Sequence, residues 1–324
     1  MTVLITGAGL IGSQVARLLS ARGQPCLLMD LHPPPAAVLA LPGVGFLQGD
    51  VSDSQALDSV FAEPVSAVVH SAAMLSTGLR ANPLRGLEVN LMGTVRLLDA
   101  AQRARVSRFV QTSSATVVYA GFDTLGPGPI PEDATLRLIT QRPGSLYALS
   151  KLTNEHLALI WRDHYGLSTV SLRLAAVAGG DTDPPSSVPG RLIARLIAAA
   201  RRGGQHLLDD PFLIWAGREE FIDPRDCARA ILAALDAADP AQGVYAIAHP
   251  QGWTLPDLAA AVADRFGPFT LDLAEPPATG FAGFRHVRPA ASDLSAAAAE
   301  LGFRAEHDLT DTLAHWWPLE RSPA

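Results

Sequence analysis

Apolar residues in the first half of the chain fall into two alternating rhythms. Val3–Thr6, Cys26–Asp30, Gly45–Gln48, Ala67–Ser71 and Arg108–Thr112 are short apolar runs of the kind buried strands show. Between them, Ile11–Arg22, Ser54–Phe61 and Leu84–Arg103 carry apolar residues at helical spacing. Strands alternating with helices over short connections predict a parallel sheet covered on both faces. Ser145–Tyr165 then reads as a long helix and Ser168–Leu174 as a sixth strand. The rhythm changes at the Pro/Gly/Ser stretch Gly179–Gly190. Beyond it come helices at Arg191–Arg202, Arg225–Ala237, Leu255–Phe266 and Leu294–Leu301, with a strand at Gly243–Ala248. This predicts an α/β nucleotide-type domain over residues 1–174, with strand returns from about 205–248, and a smaller substrate lobe over 175–324.

The first strand runs into Gly7-Ala8-Gly9-Leu10-Ile11-Gly12, a G-x-G-x-x-G loop that opens a helix. Gly7 permits the tight turn, Gly9 lets backbone approach a pyrophosphate, and Gly12 lets helix and strand pack closely. The N–H groups at Leu10 and Ile11 belong to the helix start, which favours an anion. Asp30 ends the second strand 18 residues beyond Gly12, where a carboxylate accepts from a ribose 2′-hydroxyl and repels a 2′-phosphate. The expected fold is a Rossmann-type doubly wound sheet, and the expected cofactor is NAD rather than NADP. Asp50, in Gly49-Asp50-Val51, has two readings: a partner for the adenine amino group, or a turn residue.

Composition narrows the class. Charged residues make up 18%, and the net charge of −7 comes without a basic stripe, which argues against nucleic acid. Cys26 and Cys227 stand apart, and nine histidines show no metal-ligand spacing, so no disulfide framework and no metal is expected. No apolar run reaches the roughly 18 residues of a membrane span. The opening residues lack a basic n-region, so a cytoplasmic location is expected.

Lys151 is the only lysine among 25 basic residues, and it lies four residues after Tyr147. With four tyrosines in 324 residues, few positions satisfy that spacing by accident. On a helix the two side chains share a face. A tyrosine titrates near pH 10, and an adjacent ammonium favours the phenolate, so Lys151 is expected to lower the Tyr147 pKa. A compact ammonium also reaches ribose hydroxyls that arginine's planar fork would meet differently. Ser114, at the end of the fifth strand, is the candidate hydroxyl to orient a substrate oxygen, with Ser113 and Thr116 as alternatives.

These residues resemble the extended short-chain dehydrogenase/reductase family, in its NAD-dependent epimerase/dehydratase group. Further segments carry the likeness: His70-Ser71-Ala72-Ala73, Val89-Asn90-Leu91-Met92-Gly93-Thr94, Leu172-Arg173, Phe221–Asp226, Asp293–Ala296 and Leu301-Gly302-Phe303. The resemblance implies Tyr147 as general base and acid, with Lys151 lowering its pKa and holding the nicotinamide ribose. It also implies Ser114 orienting the substrate oxygen, Asn90 in a positioning and proton-relay network, and Ala72-Ala73 lining the cofactor cleft. Val51, Leu174 and Val177 complete the expected cofactor contacts. Relatives pair through helices corresponding to Leu84–Arg103 and Ser145–Tyr165, so a homodimer with a four-helix bundle is expected.

Several positions depart from the family pattern. The glycine loop is one residue shorter than T-G-x-x-G-x-x-G. Ala115-Thr116 stands where 4,6-dehydratases carry Asp-Glu, which disfavours elimination. Val117-Val118-Tyr119-Ala120 has an extra residue relative to V-Y-G. Leu174-Ala175-Ala176 lacks the Asn common in nucleotide-sugar epimerases, and Arg288-Pro289-Ala290-Ala291 is a compressed R-x-G-D. Three functions stay open: a nucleotide-sugar 4-epimerase, a net dehydrogenase or reductase of a small hydroxy acid (aldonate, uronate or hydroxy amino acid), and a non-catalytic NAD sensor. Substrate contacts are expected from Met74–Leu79, Thr116, the loop Gly121–Gly144 and the C-terminal lobe. Arg191, Arg218, Arg225 and Arg288 are candidate anion anchors, or equally ion-pair residues.

Overall fold

The computed structural model describes residues 2–134, 145–179 and 185–315. The first six strands are β1 (Thr2–Thr6), β2 (Cys26–Asp30), β3 (Val44–Gln48), β4 (Val65–His70), β5 (Arg108–Ser114) and β6 (Thr169–Leu174). The later ones are β7 (Ala176–Val177), β8 (Gln205–Leu208), β9 (Glu219–Ile222), β10 (Val244–Ile247), β11 (Gly252–Trp253) and β12 (Thr270–Leu273). Seven of them form one sheet in the order β10-β6-β5-β4-β1-β2-β3, parallel throughout.

Alternation along β1 shows why this sheet needs helices on both sides. Val3 and Ile5 join the apolar cluster built with Val15 and Leu19 of the helix Leu10–Ala21 and Ile231 of the helix Pro224–Asp236. Leu4 joins the opposite cluster, with Val68, Phe109, Leu97 and Leu98. All three β1 residues are fully buried, as central strands of doubly covered sheets are. Chain direction across the sheet reverses beside β1: β2 and β3 lie to one side, β4, β5, β6 and β10 to the other. The crevice at the carboxyl ends of β1 and β4 is therefore the switch point at which such sheets hold ligands.

Of the strands after β6, only β10 rejoins this sheet. β7, β9 and β11 make a three-stranded sheet, and β8 pairs with β12. A third apolar cluster, including Leu192, Leu196, Trp215, Phe221, Trp253 and Phe281, holds these to the helix Val188–Arg202. The helix expected over Leu84–Arg103 is three pieces: Pro83–Leu87, a π-helical segment Glu88–Gly93, and Thr94–Arg103. Among the described residues, no helix is long and apolar enough to cross a membrane.

Candidate active site

The glycine loop folds as its spacing requires. Gly7 has φ +93°, and a Cβ there would lie 2.6 Å from the Ala72 nitrogen. A Cβ on Gly12 would lie 1.8 Å from the Gly7 carbonyl oxygen, so that position tolerates no side chain. Gly9 differs: nothing lies within 4 Å of its added Cβ, and the residue borders a cavity. Close packing at Gly7 and Gly12 with open space at Gly9 fits a cradle that a pyrophosphate enters. Asp30 borders the same cavity, its Oδ2 accepting from the Ala8 N–H at 2.7 Å. The carboxylate thus braces the loop while keeping lone pairs for a ribose hydroxyl. These residues fit a dinucleotide.

The helix Leu146–Tyr165 starts where the Ser145 hydroxyl accepts from Ala148 N–H (3.0 Å) and stops at Gly166, which takes the left-handed conformation. Tyr147, Lys151 and Glu155 follow at four-residue steps on one face. Lys151 is buried; its Nζ donates to the Thr112 carbonyl at 2.7 Å and lies 5.8 Å from the Tyr147 ring centroid. Burial lowers its pKa to about 8, with the Glu155 carboxylate opposing. Burial also pushes Tyr147 up to about 12, against a hydrogen bond from Ser114 that pulls it down. The expected lowering of the tyrosine by the lysine is therefore corrected for the protein alone. Desolvation of the phenolate outweighs the Ser114 hydrogen bond.

Ser113 and Ser114 project to opposite sides of β5. The Ser113 hydroxyl donates to Glu155 Oε1 at 2.5 Å, and Glu155 also pairs with Arg173 at 2.8 Å. Ser113 is thereby committed to structure. Ser114 Oγ instead accepts from the Thr116 hydroxyl (2.9 Å) and N–H (3.2 Å) and reaches the Tyr147 phenol. His70 bridges Thr6 (2.7 Å) and Thr94 (2.9 Å), and burial together with Lys151 holds its pKa at about 3, so it stays neutral.

One cavity of about 370 Å³ brings most of the expected residues together. It is lined by Gly7, Gly9, Leu10, Ile11, Gly12, Asp30, Ala72, Ala73, Ser114, Thr116, Tyr147, Lys151, Leu174, Val177 and Arg191. Others lie apart from it. Asp50 is a turn residue paired with Ser52 and Arg85, and Val51 packs in the core against Gly93. The Asn90 side chain holds the Met74 backbone at both N–H (2.8 Å) and C=O (3.0 Å), so both residues sit behind the wall, and Leu75 takes the place expected for Met74.

Arg288 requires a correction. Its guanidinium is buried between Glu219 (2.7 Å) and Glu220 (3.1 Å), with Tyr119 and Phe122 rings 5.3 Å away. Two carboxylates leave that cation nothing for an incoming anion. Arg218 and Arg225 are likewise engaged, by the Gly252 carbonyl with Asp257 and by Asp223. Sequence reasoning missed Arg80, Phe212, Phe281 and Phe284, which line the lobe side of the cavity. Arg80 is one residue beyond the segment expected to contact substrate; the phenylalanines carry no periodic signal. Of the loop Gly121–Gly144, residues 135–144 lie outside the described residues.

The sequence pattern of the NAD dependent epimerase/dehydratase family matches residues 3–248. The chain is similar to a dTDP-L-rhamnose 4-epimerase of Burkholderia thailandensis, 28% identical over 98% of this chain and 92% of that protein. It is also similar to a dTDP-glucose 4,6-dehydratase of Streptomyces antibioticus, 30% identical over 100% and 97%. Among solved structures, a Thermus thermophilus UDP-glucose 4-epimerase complex with NAD superposes with TM-score 0.76 at 27% identity, covering 97% and 96% of the two chains. With cradle, Tyr–Lys pair and serine gathered on one cavity, the chain belongs to the NAD-dependent epimerase/dehydratase family.

Proposed function

We propose that this protein is an NAD-dependent, 4-epimerase-like enzyme that oxidises and re-reduces a secondary alcohol of a sugar-type substrate. The observation that carries the reading is Tyr147, Ser114 and Lys151 converging on the cavity whose far end is the glycine cradle. Gly7, Gly9, Gly12, Asp30, Ala72, Ala73 and Lys151 would hold the cofactor. NAD, when bound, supplies a hydride acceptor and donor and, in its oxidised form, a positive charge.

Chain residues handle the proton. Ser114, whose single hydroxyl proton goes to the Tyr147 oxygen in the protein alone, would turn that proton to the substrate oxygen beside it. Tyr147, in its phenolate form, takes the alcohol proton as the C–H bond breaks, and returns it when the carbonyl is reduced. Lys151, anchored on Thr112, gives the site a fixed positive charge that favours the phenolate during transfer. Epimerisation is supported over elimination by what the wall lacks: among its described residues Asp30 is the sole carboxylate, and Ala115 and Thr116 follow the serine. An elimination needs a second acid/base pair there.

A second reading, net oxidation of a small hydroxy acid, is favoured by one observation: Arg288 is neutralised by Glu219 and Glu220. NADH accumulation separates the two. UDP- and dTDP-hexoses incubated with enzyme and NAD should yield the 4-epimer with no stoichiometric NADH; stoichiometric NADH would establish the dehydrogenase instead. A pairing of two copies is supported by the outer face of the helix Leu146–Tyr165, where Leu149 and Ile160 are exposed.

A further inference from the structure

We propose that Arg80 and Arg191, set around Phe212, form an anion subsite that receives the acidic end of the substrate. The inference rests on the reading above, in that the alcohol is placed at Tyr147. Four charged residues line the described cavity wall: Asp30, Lys151, Arg80 and Arg191. Asp30 belongs to the cradle and Lys151 to the proton-handling end. The two arginines remain, and both lie toward the lobe.

Among the described residues Arg80, near the end of the helix Ser76–Ala81, is exposed and makes no ion pair; its one partner there is the Phe212 ring, 4.2 Å from the guanidinium carbon. Stacking on a ring fixes a guanidinium plane while leaving its N–H fork open to a bidentate oxyanion. Phe212 belongs to the turn Pro211–Leu213, capped by Asp210, and Asp210 also faces Arg191 at 3.7 Å. The two arginines therefore flank one short turn. Arg191 is only loosely paired there, and its buried Nε has no hydrogen-bond partner among the described residues. Arg288, neutralised inside the lobe, is thereby replaced as the anchoring cation. The ligand chemistry is an oxyanion on a sugar-sized body: a nucleoside diphosphate or a sugar carboxylate.

The test is calorimetric titration of the NAD-loaded protein with UDP, dTDP and D-glucuronate. Arg80→Met and Arg191→Met are compared with the parent, and NAD affinity and melting temperature serve as controls. Arg80→Met removes no ion pair to a described residue, so folding should be retained. The subsite should bind at least one probe, and each variant should weaken that binding at least tenfold with NAD affinity unchanged. UDP or dTDP binding identifies the phosphate source, and glucuronate binding the carboxylate source. Affinity unchanged in both variants, or no binding of any probe by the parent, would overturn the proposal. The titration reads binding and not turnover, so its failure leaves the hydride chemistry standing; failure of the NADH experiment would leave this subsite standing.

Discussion

Gly9 and Gly12 are three residues apart and carry different burdens. An alanine at Gly12 drives Cβ into the Gly7 carbonyl, and overpacking of this kind costs about 1–3 kcal/mol. Gly12→Ala is therefore expected to lower both the melting temperature and NAD affinity. Gly9→Ala meets only open cavity, so it should melt as the parent does and still lose NAD affinity, read by thermal shift with and without NAD. Lys151 supplies a pH signature. Its pKa is lowered to about 8, so the ammonium loses its proton well below the usual lysine range. NAD affinity is expected to fall as pH rises through about 8, and Lys151→Met should bind weakly without that dependence; titrations on either side of that pH check both. At this scale the sequence was highly legible, because glycine spacing and a lone lysine are stringent local signals. What it could not supply was the balance of desolvation against hydrogen bonding at Tyr147, which depends on how deeply the phenol is buried.

Among elements, the π-helical segment Glu88–Gly93 departs most from periodicity. It places Asn90 so that its amide caps the Met74 backbone on both sides, while Asn154 and Thr94 donate to the Asn90 carbonyl. Removing a buried amide that satisfies two backbone groups leaves them unpaired, at about 1–3 kcal/mol. Asn90→Ala is expected to lose that much in urea unfolding while the Tyr147–Lys151 pair stays in place. Apolar spacing over Leu84–Arg103 reads as one helix because a π-turn shifts hydrogen bonds without changing composition. The long helix, read from apolar spacing over Ser145–Tyr165, runs from Leu146 to Tyr165, with Ser145 as its N-cap. The β8–β12 pair was not legible: QHLL and TLDL are short, half-exposed segments whose partnership spans more than sixty residues.

For the whole molecule, the switch-point cleft followed from the order of strands and helices, since parallel strands joined by short crossovers admit few arrangements. The lobe resisted, because its sheets are made of two- to four-residue strands held by long-range packing. The exposed stripe of Leu149, His156 and Ile160 on the helix Leu146–Tyr165 belongs to this scale. If two copies meet there, Ile160→Glu should shift the protein to a monomer in sedimentation velocity with its fold intact. A monomeric parent would remove the paired arrangement.

Turnover and NAD binding of Tyr147→Phe, measured together on substrates the parent converts, bear most directly on the central claim. Deleting the phenolic hydroxyl removes the proton carrier and leaves the cradle untouched. Turnover is expected to fall by roughly 10²–10⁴-fold, the usual worth of a positioned general acid–base, with NAD affinity essentially unchanged. Turnover equal to that of the parent would contradict the account.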